Sequence, residues 1–330
     1  MRKIKIFIIF ALLIISSVPT AWASGCTFEP HTFYGKEKID YYLFTPQNAT
    51  ENMPLIVYLH GGSGKGDNIE KLTENGFCMW VKEGKFDGTP AYILFPQLSS
   101  KYKGWSDAKN LLKELINNVT DTYAINPNRI SLTGHSMGGT GTFAVASAYP
   151  GMFSCVVPMS GSIQLTDENL DAFSSLPVWA FVGSADTIVS PSFSEEFVAA
   201  LKENGCDARL TVFEGADHFS VPELAYLNEN LDVVGYLTSH SKSNKITDCT
   251  DGTVSITAQL PGEYSLITAR RTQGGTEQIK LTHVTVAYGK NTIPISDFDI
   301  QNGDEIMLWK DLKPIAKKYT VGQATGRKGE

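Results

Sequence analysis

Apolar residues fall along this chain in two rhythms. Over residues 33–240, short continuous apolar runs alternate with stretches of helical period. Residues 54–60 (PLIVYLH), 91–95 (AYILF), 129–133, 153–158, 178–182 and 208–213 read as strands. Residues 106–123 place Leu111, Leu112, Leu115 and Ile116 on one helical face, and residues 137–149, 194–204 and 221–240 also read as helices. Strands without polar alternation are buried on both faces, so this order predicts an α/β fold with a mostly parallel sheet between two helical layers. After residue 241 the rhythm changes. A polar linker (SKSN, residues 241–244) leads into short runs at 253–258, 263–269, 278–287, 292–295 and 305–309, separated by Gly, Pro, Asn and Asp. That pattern predicts a small antiparallel β-sandwich, and the polar tail from Val321 is expected to be disordered.

The first stretch stands apart from both patterns. Arg2, Lys3 and Lys5 precede the apolar run 6–18, and Ala21-Trp22-Ala23 follows with small residues where a signal peptidase cuts. Residues 1–23 are therefore expected to be a secretory leader, with no membrane span once it is removed. A retained anchor is one alternative. Lipidation at Cys26 is another, against which stands the missing Leu three residues earlier. The expected organisation is a leader over 1–23, a catalytic domain over 24–243 and a β-module with its tail over 244–330.

Hydrophobic residues at 42% and charged residues at 19% are ordinary for a folded chain and argue against disorder. The net charge of −7 becomes −10 without the three basic residues of the leader. The acidic excess lies before Lys245, so the expected catalytic segment repels polyanions, and nucleic acid is not an expected partner. Cys26, Cys78, Cys155, Cys206 and Cys249 include no CxxC spacing, which gives no support to a zinc or redox motif. Cys155 sits in an apolar run and is expected to be a buried free thiol.

The chemistry centres on Gly134-His135-Ser136-Met137-Gly138. It follows an expected strand and opens an expected helix, the setting of a nucleophile elbow: a sharp turn that lifts the Ser136 hydroxyl to the carboxyl end of the sheet. Glycines two residues away on either side leave room for that turn. A serine hydroxyl needs a base. Of the six histidines, His218 follows the last strand of the sheet and precedes the last helix, where this chain order delivers one. The carboxylate that orients it must fall between 136 and 218. Asp186 follows the strand 178–182 and is preferred to Asp217, whose side chain points away from its neighbour's ring in an extended loop. Backbone amides of Met137 and of Gly62, in the loop His60-Gly61-Gly62-Ser63-Gly64, are the candidate oxyanion donors. That loop lacks the spacing of a phosphate-binding motif. The set requires neither metal nor cofactor.

These pieces resemble the α/β-hydrolase superfamily. More narrowly, they are similar to a secreted esterase branch that includes feruloyl esterases, acetyl xylan esterases, polyhydroxybutyrate-depolymerase-like enzymes and predicted peptidases. The likeness is carried by YLHGGSGKGDN (58–68), FPQ (95–97), Gly104-Trp105, INPNRISLTGHSMGGTGT (125–142), PVWAFVGSAD (177–186) and GADHF (215–219). It implies Ser136, Asp186 and His218 as a triad, and a small-molecule or polysaccharide-linked ester (feruloyl or acetyl) as substrate. It also suggests Trp105 as a pocket residue, although an ordinary packed tryptophan fits the sequence equally. Ser63 departs from the glycine common at that position. The GDEIMLW strand (303–309) resembles the Ig- or fibronectin-like modules of secreted hydrolases. Carbohydrate or cell-surface contact through Trp309, Tyr264 or Tyr288 is an alternative to a purely structural role there. Two other functions share the motifs: a serine peptidase of prolyl-oligopeptidase type, and a non-catalytic surface protein on a hydrolase scaffold.

Overall fold

A computed structural model describes residues 25–250, 252–272, 275–295 and 300–322. The expected leader lies outside them, as does the tail from residue 323. Among the described residues, no helix is long and apolar enough to cross a membrane.

The first unit begins with a hairpin, β1 (Thr27–Tyr34) and β2 (Lys38–Thr45), and continues through β3 (Leu55–Leu59), α1 (Gly76–Lys82), β4 (Tyr92–Pro96), α2 (Lys109–Thr122) and β5 (Ile130–His135). It then runs through α3 (Met137–Ala148), β6 (Cys155–Met159), α4 (Asp167–Ala172), β7 (Val178–Gly183), α5 (Ser192–Glu203), β8 (Ala208–Phe213), α6 (Val221–Tyr226) and α7 (Val233–Ser239). The eight strands form one sheet in the order β1-β2-β4-β3-β5-β6-β7-β8, antiparallel at β1, β2 and β4 and parallel from β4 to β8.

β3 shows why its run is apolar throughout. Leu55, Val57 and Leu59 enter one core with α2, α3 and α5, while Ile56 and Tyr58 enter the opposite core with α1, α6 and α7. The two-sided burial expected from the sequence is what the sheet has. The β1–β2 hairpin was not expected. β1 is an edge strand that exposes Glu29, Pro30, Thr32 and Tyr34, so no continuous apolar run marks it.

The single helix expected over residues 221–240 is two helices. Asn228 turns its side chain onto the Asn230 N–H (3.0 Å). Asp232 adopts a left-handed conformation (φ 41°) and caps α7 by accepting from the Gly235 N–H at 2.9 Å. Both side chains offer the backbone local partners in place of helical ones.

The longer of the remaining strands are β9 (Asn244–Thr250), β10 (Thr253–Ala258), β11 (Gly262–Thr272), β12 (Gly275–Val286), β13 (Gly289–Pro294) and β14 (Glu305–Lys310). One antiparallel sheet runs β13-β10-β9, and the other contains β12-β11-β14. Val254 and Ile256 of the first share a core with Leu266, Val284, Ile306 and Leu308 of the second.

These strands are pinned to the larger sheet unit. The Gln259 amide donates to the Ser154 carbonyl (3.3 Å), the Tyr288 hydroxyl to the Ala172 carbonyl (3.0 Å), and Ser175 Oγ to the Ala258 carbonyl (2.9 Å). The polar stretch expected to be a linker takes part, since the Lys242 N–H donates to Asn128 (2.8 Å) and its ammonium to Gly151 (3.0 Å). Tyr264 is buried, with its hydroxyl on the Leu260 carbonyl. Tyr288 is half-buried, with its hydroxyl in the interface. Trp309 is half-buried. Val321 is not loose: its N–H donates to Asp304 (2.9 Å) and its carbonyl accepts from Gly303 (2.9 Å). All five cysteines are unpaired, and the Cys155 thiol is buried.

Candidate active site

Ser136 occupies the turn between β5 and α3 at φ 58°, ψ −118°, a region L-residues rarely enter. Neighbouring backbone holds it there. Its N–H donates to the Met159 carbonyl and its carbonyl accepts from Thr140, both at 2.9 Å. The glycines around it answer to crowding: a Cβ on Gly138 would overlap the Leu59 carbonyl, and one on Gly134 would lie 2.6 Å from the Gly138 carbonyl oxygen. Only hydrogen fits where α3 crosses the ends of β3 and β5.

Three strand ends then meet. His218, in the loop after β8, stands with Nε2 2.7 Å from Ser136 Oγ and Nδ1 2.7 Å from Asp186 Oδ2. Asp186, in the loop after β7, also accepts the N–H groups of Ile188 and Val189 on Oδ1, each at 2.9 Å. His218 is 2% exposed and Asp186 8%. Burial alone would raise the Asp186 carboxyl, but the bonds from His218 and from the Val189 and Ile188 amides outweigh it and hold the group below the usual carboxylate range. An ionised Asp186 accepts from Nδ1–H, which leaves the Nε2 lone pair for the Ser136 hydroxyl. The rival carboxylate, Asp217, is engaged elsewhere. It accepts from the Phe219 N–H (3.1 Å), the Ser220 N–H (2.9 Å) and the Ser220 hydroxyl, capping its own turn.

Two further histidines frame this line, in positions the sequence reading passed over. His135 donates from Nε2 to the His218 carbonyl at 2.8 Å, with the two rings 4.8 Å apart. Burial, with the His218 ring acting in the same direction, lowers the His135 imidazole to about 4. His60, at the end of β3, contacts Gly61 and Leu98 and is likewise lowered by burial to about 4. Their places in the HGG and GHS strings were visible; their partners were not.

The loop after β3 lies against the elbow. A Cβ on Gly61 would come within 3.5 Å of Ser136 Cβ, whereas Gly62 has open space around it. Met137 is the first residue of α3, so its N–H has no partner within the helix. Gln97, in the FPQ string, donates from Nε2 to the Gly64 (3.0 Å) and Asn68 (2.7 Å) carbonyls and ties this loop to the end of β4.

Trp105 corrects the expectation of a pocket residue. It is 1% exposed, packed in the core, and donates from Nε1 to the His60 carbonyl at 3.1 Å. The Gly104-Trp105 pair supports the loop from behind. The cleft in front of Ser136, about 630 Å³, is walled instead by Leu72, Met79 and Trp80 and by Ile188 and Phe219 from the loops that carry Asp186 and His218, with Lys71 and Glu223 as charged members. Ile188 and Phe219 are 58% and 73% exposed, so their apolar surface is open to a ligand. Among the described residues, no group of three His, Cys, Asp or Glu side chains is placed to hold a metal ion.

Poly(3-hydroxyalkanoate) depolymerase C of Paucimonas lemoignei is 24% identical over 168 residues, 47% of this chain and 39% of its own. A protein named "Probable feruloyl esterase C" of Aspergillus oryzae is 29% identical over 172 residues, 48% of this chain and 62% of its own. The chain thus spans less than two-thirds of the length of these curated relatives. Among solved structures, a thermostable esterase superposes with a TM-score of 0.58 at 26% identity, covering 65% of this chain and 63% of its own. A ferulic acid esterase superposes at 0.53 with 18% identity, covering 65% of this chain and 99% of its own, a likeness of fold. These are α/β-hydrolase neighbours, in keeping with the eight-stranded sheet. The profile of the dienelactone hydrolase family matches residues 39–230, more than half of the sequence, and the chain belongs to that family.

Proposed function

We propose that this protein hydrolyses carboxylic esters through an acyl-enzyme on Ser136. The observation that carries the reading is the unbroken line from Ser136 Oγ through His218 to Asp186, two contacts of 2.7 Å each. Ser136 Oγ attacks the ester carbonyl as His218 Nε2 takes its proton. The oxygen of the tetrahedral adduct, now negative, lies between the N–H groups of Met137 and Gly62. Collapse breaks the bond to the alkoxy oxygen, which leaves as the alcohol with the proton from His218. Water, deprotonated by the same ring, then releases the acid. Asp186 keeps the imidazole in the tautomer the cycle needs and steadies its protonated form.

Plant-polysaccharide-linked esters, feruloyl or acetyl, are the proposed substrates. The names of similar proteins and the open apolar surface of Ile188 and Phe219 support that class. The reading places the catalytic domain at residues 24–243 and an Ig- or fibronectin-like module at 244–330, docked through Gln259 and Tyr288 as a brace. It has the protein exported by the leader over 1–23. The test is an ester panel (p-nitrophenyl acetate and butyrate, methyl ferulate, acetylated xylan) beside an aminoacyl anilide, with Ser136→Ala as control. Turnover of ferulate or acetylxylan lost in the variant is expected; a folded Ser136→Ala variant with full activity, or cleavage of the anilide alone, overturns the proposal.

A further inference from the structure

The oxyanion loop poses a physical problem. Gly61 and Gly62 carry no side chain, so sterics do not stop the peptide between them from rotating. A donor amide is effective only when it is aimed before the charge develops. We propose that His60 is the positioning residue that aims it: by holding the Gly61 carbonyl, the ring sets the plane of the Gly61–Gly62 peptide and so the direction of the Gly62 N–H. This rests on the ester-hydrolase reading of the preceding subsection.

The geometry is local and closed. His60 Nε2 accepts from the Leu98 N–H at 2.9 Å, inside the protein. That contact occupies the Nε2 lone pair, so the proton of the neutral ring is on Nδ1. Nδ1 lies 2.6 Å from the Gly61 carbonyl oxygen and donates to it. The same oxygen accepts from the Gly64 N–H at 3.2 Å. A peptide group is planar and trans, so its carbonyl and its N–H point in opposite directions. Fixing the Gly61 oxygen at one end therefore fixes the Gly62 N–H at the other. A donor on the carbonyl also polarises the peptide, which makes its N–H a stronger donor.

The ring is itself immobilised. Trp105 donates to the His60 carbonyl at 3.1 Å and meets the ring edge-on, 5.0 Å between centroids. A Cβ on Gly64 would come 2.7 Å from the imidazole, so the loop closes directly over it. Burial keeps the ring neutral down to about pH 4, and the Leu98 and Gly61 contacts select its Nδ1–H tautomer through the neutral range.

Two substitutions divide the ring into its halves. His60→Asn puts a donor near the place of Nδ1, within reach of Gly61. His60→Gln puts an amide near the place of Nε2, satisfying Leu98 but not Gly61. An oxyanion donor is worth about 100- to 1,000-fold in kcat, so His60→Gln is expected to lose at least about ten-fold in kcat on p-nitrophenyl acetate with little change in KM, and His60→Asn to recover most of it. Inhibition by a trifluoromethyl ketone, which forms an oxyanion on Ser136, should weaken in step with kcat/KM across the series. Nitrogen-15 shifts of His60 in the unsubstituted protein should report the Nδ1–H tautomer, a readout that needs no variant to fold. Equal activity of the Gln and Asn variants overturns the proposal, as do losses that follow melting temperature alone or an Nε2–H tautomer. Ser136→Ala, run alongside, separates the two readings. If it is inactive while His60→Gln matches the parent, only the role of His60 fails; if it is active, the hydrolase reading itself fails.

Discussion

Lowering the pH from 7 to 4.5 should destabilise this fold steeply, through two histidines buried without charge. Burial is the main cause at both His60 and His135, and each falls from an ordinary 6.5 to about 4. At pH 7 both are neutral, folded or unfolded, and the preference costs nothing. Below 6.5 the unfolded chain takes up a proton at each site while the folded chain does not. Stability is therefore complete above 6.5 and lost as pH falls toward 4. Within that window each histidine contributes a slope of about 1.4 kcal/mol per pH unit, and about 3 kcal/mol in all. Against a typical total of about 5–15 kcal/mol, the pair is enough to make the protein marginal near pH 4. His31, also lowered by burial, adds to the parent and to the variants alike. Asp186 and Asp304 are held below the ordinary 3.8, so their losses begin only at the acid end of the window. The assay is urea unfolding at pH 7, 6, 5 and 4.5, for the parent and for His135→Gln, whose amide keeps a donor toward the His218 carbonyl. The variant should lose about half of the slope owed to the pair. An unchanged slope, or a parent whose stability is flat from 6.5 to 4.5, refutes the reasoning.

Other perturbations bear on separate links. Asp186→Asn should lower kcat at pH 7 by about four orders of magnitude while leaving the fold intact, because the ring is then held in the wrong tautomer; steady-state turnover beside thermal melts checks this. Gly138→Ala should cost at least about 3 kcal/mol in urea unfolding, since its Cβ meets the Leu59 backbone carbonyl and no flexible side chain can give way. Tyr288→Phe should cost about 1 kcal/mol, the net worth of its bond to the Ala172 carbonyl, and leave ester turnover unchanged. A loss of turnover without a loss of stability would contradict a bracing role.

How much could be read in advance depended on the range of each interaction. The parallel strands were legible because burial on both faces demands apolar runs such as LIVYL in β3. The elbow was legible because Gly134 and Gly138 answer a local steric demand. Ser136, His218 and Asp186 were legible as candidates because chain order in this topology restricts where a base and a carboxylate can fall. The hairpin β1–β2 was not, since an edge strand needs no apolar signature. Nor was the break between α6 and α7, which Asn228 and Asp232 impose by bonding to their own neighbours.

The sequence by itself determined the period of each element, the place of the strained turn and the residue types able to do the chemistry, all consequences of neighbours along the chain. Only the tertiary structure decided which of those residues meet. Trp105 was free to face a ligand or the core, and it went behind the His60 carbonyl, 45 residues away. His135 found the carbonyl of His218, 83 residues on. The cleft walls came from α1 and from the loops after β7 and β8. A hydrogen bond or a packed ring constrains only the two partners it joins, and a one-dimensional pattern carries no record of which distant residue will be the second.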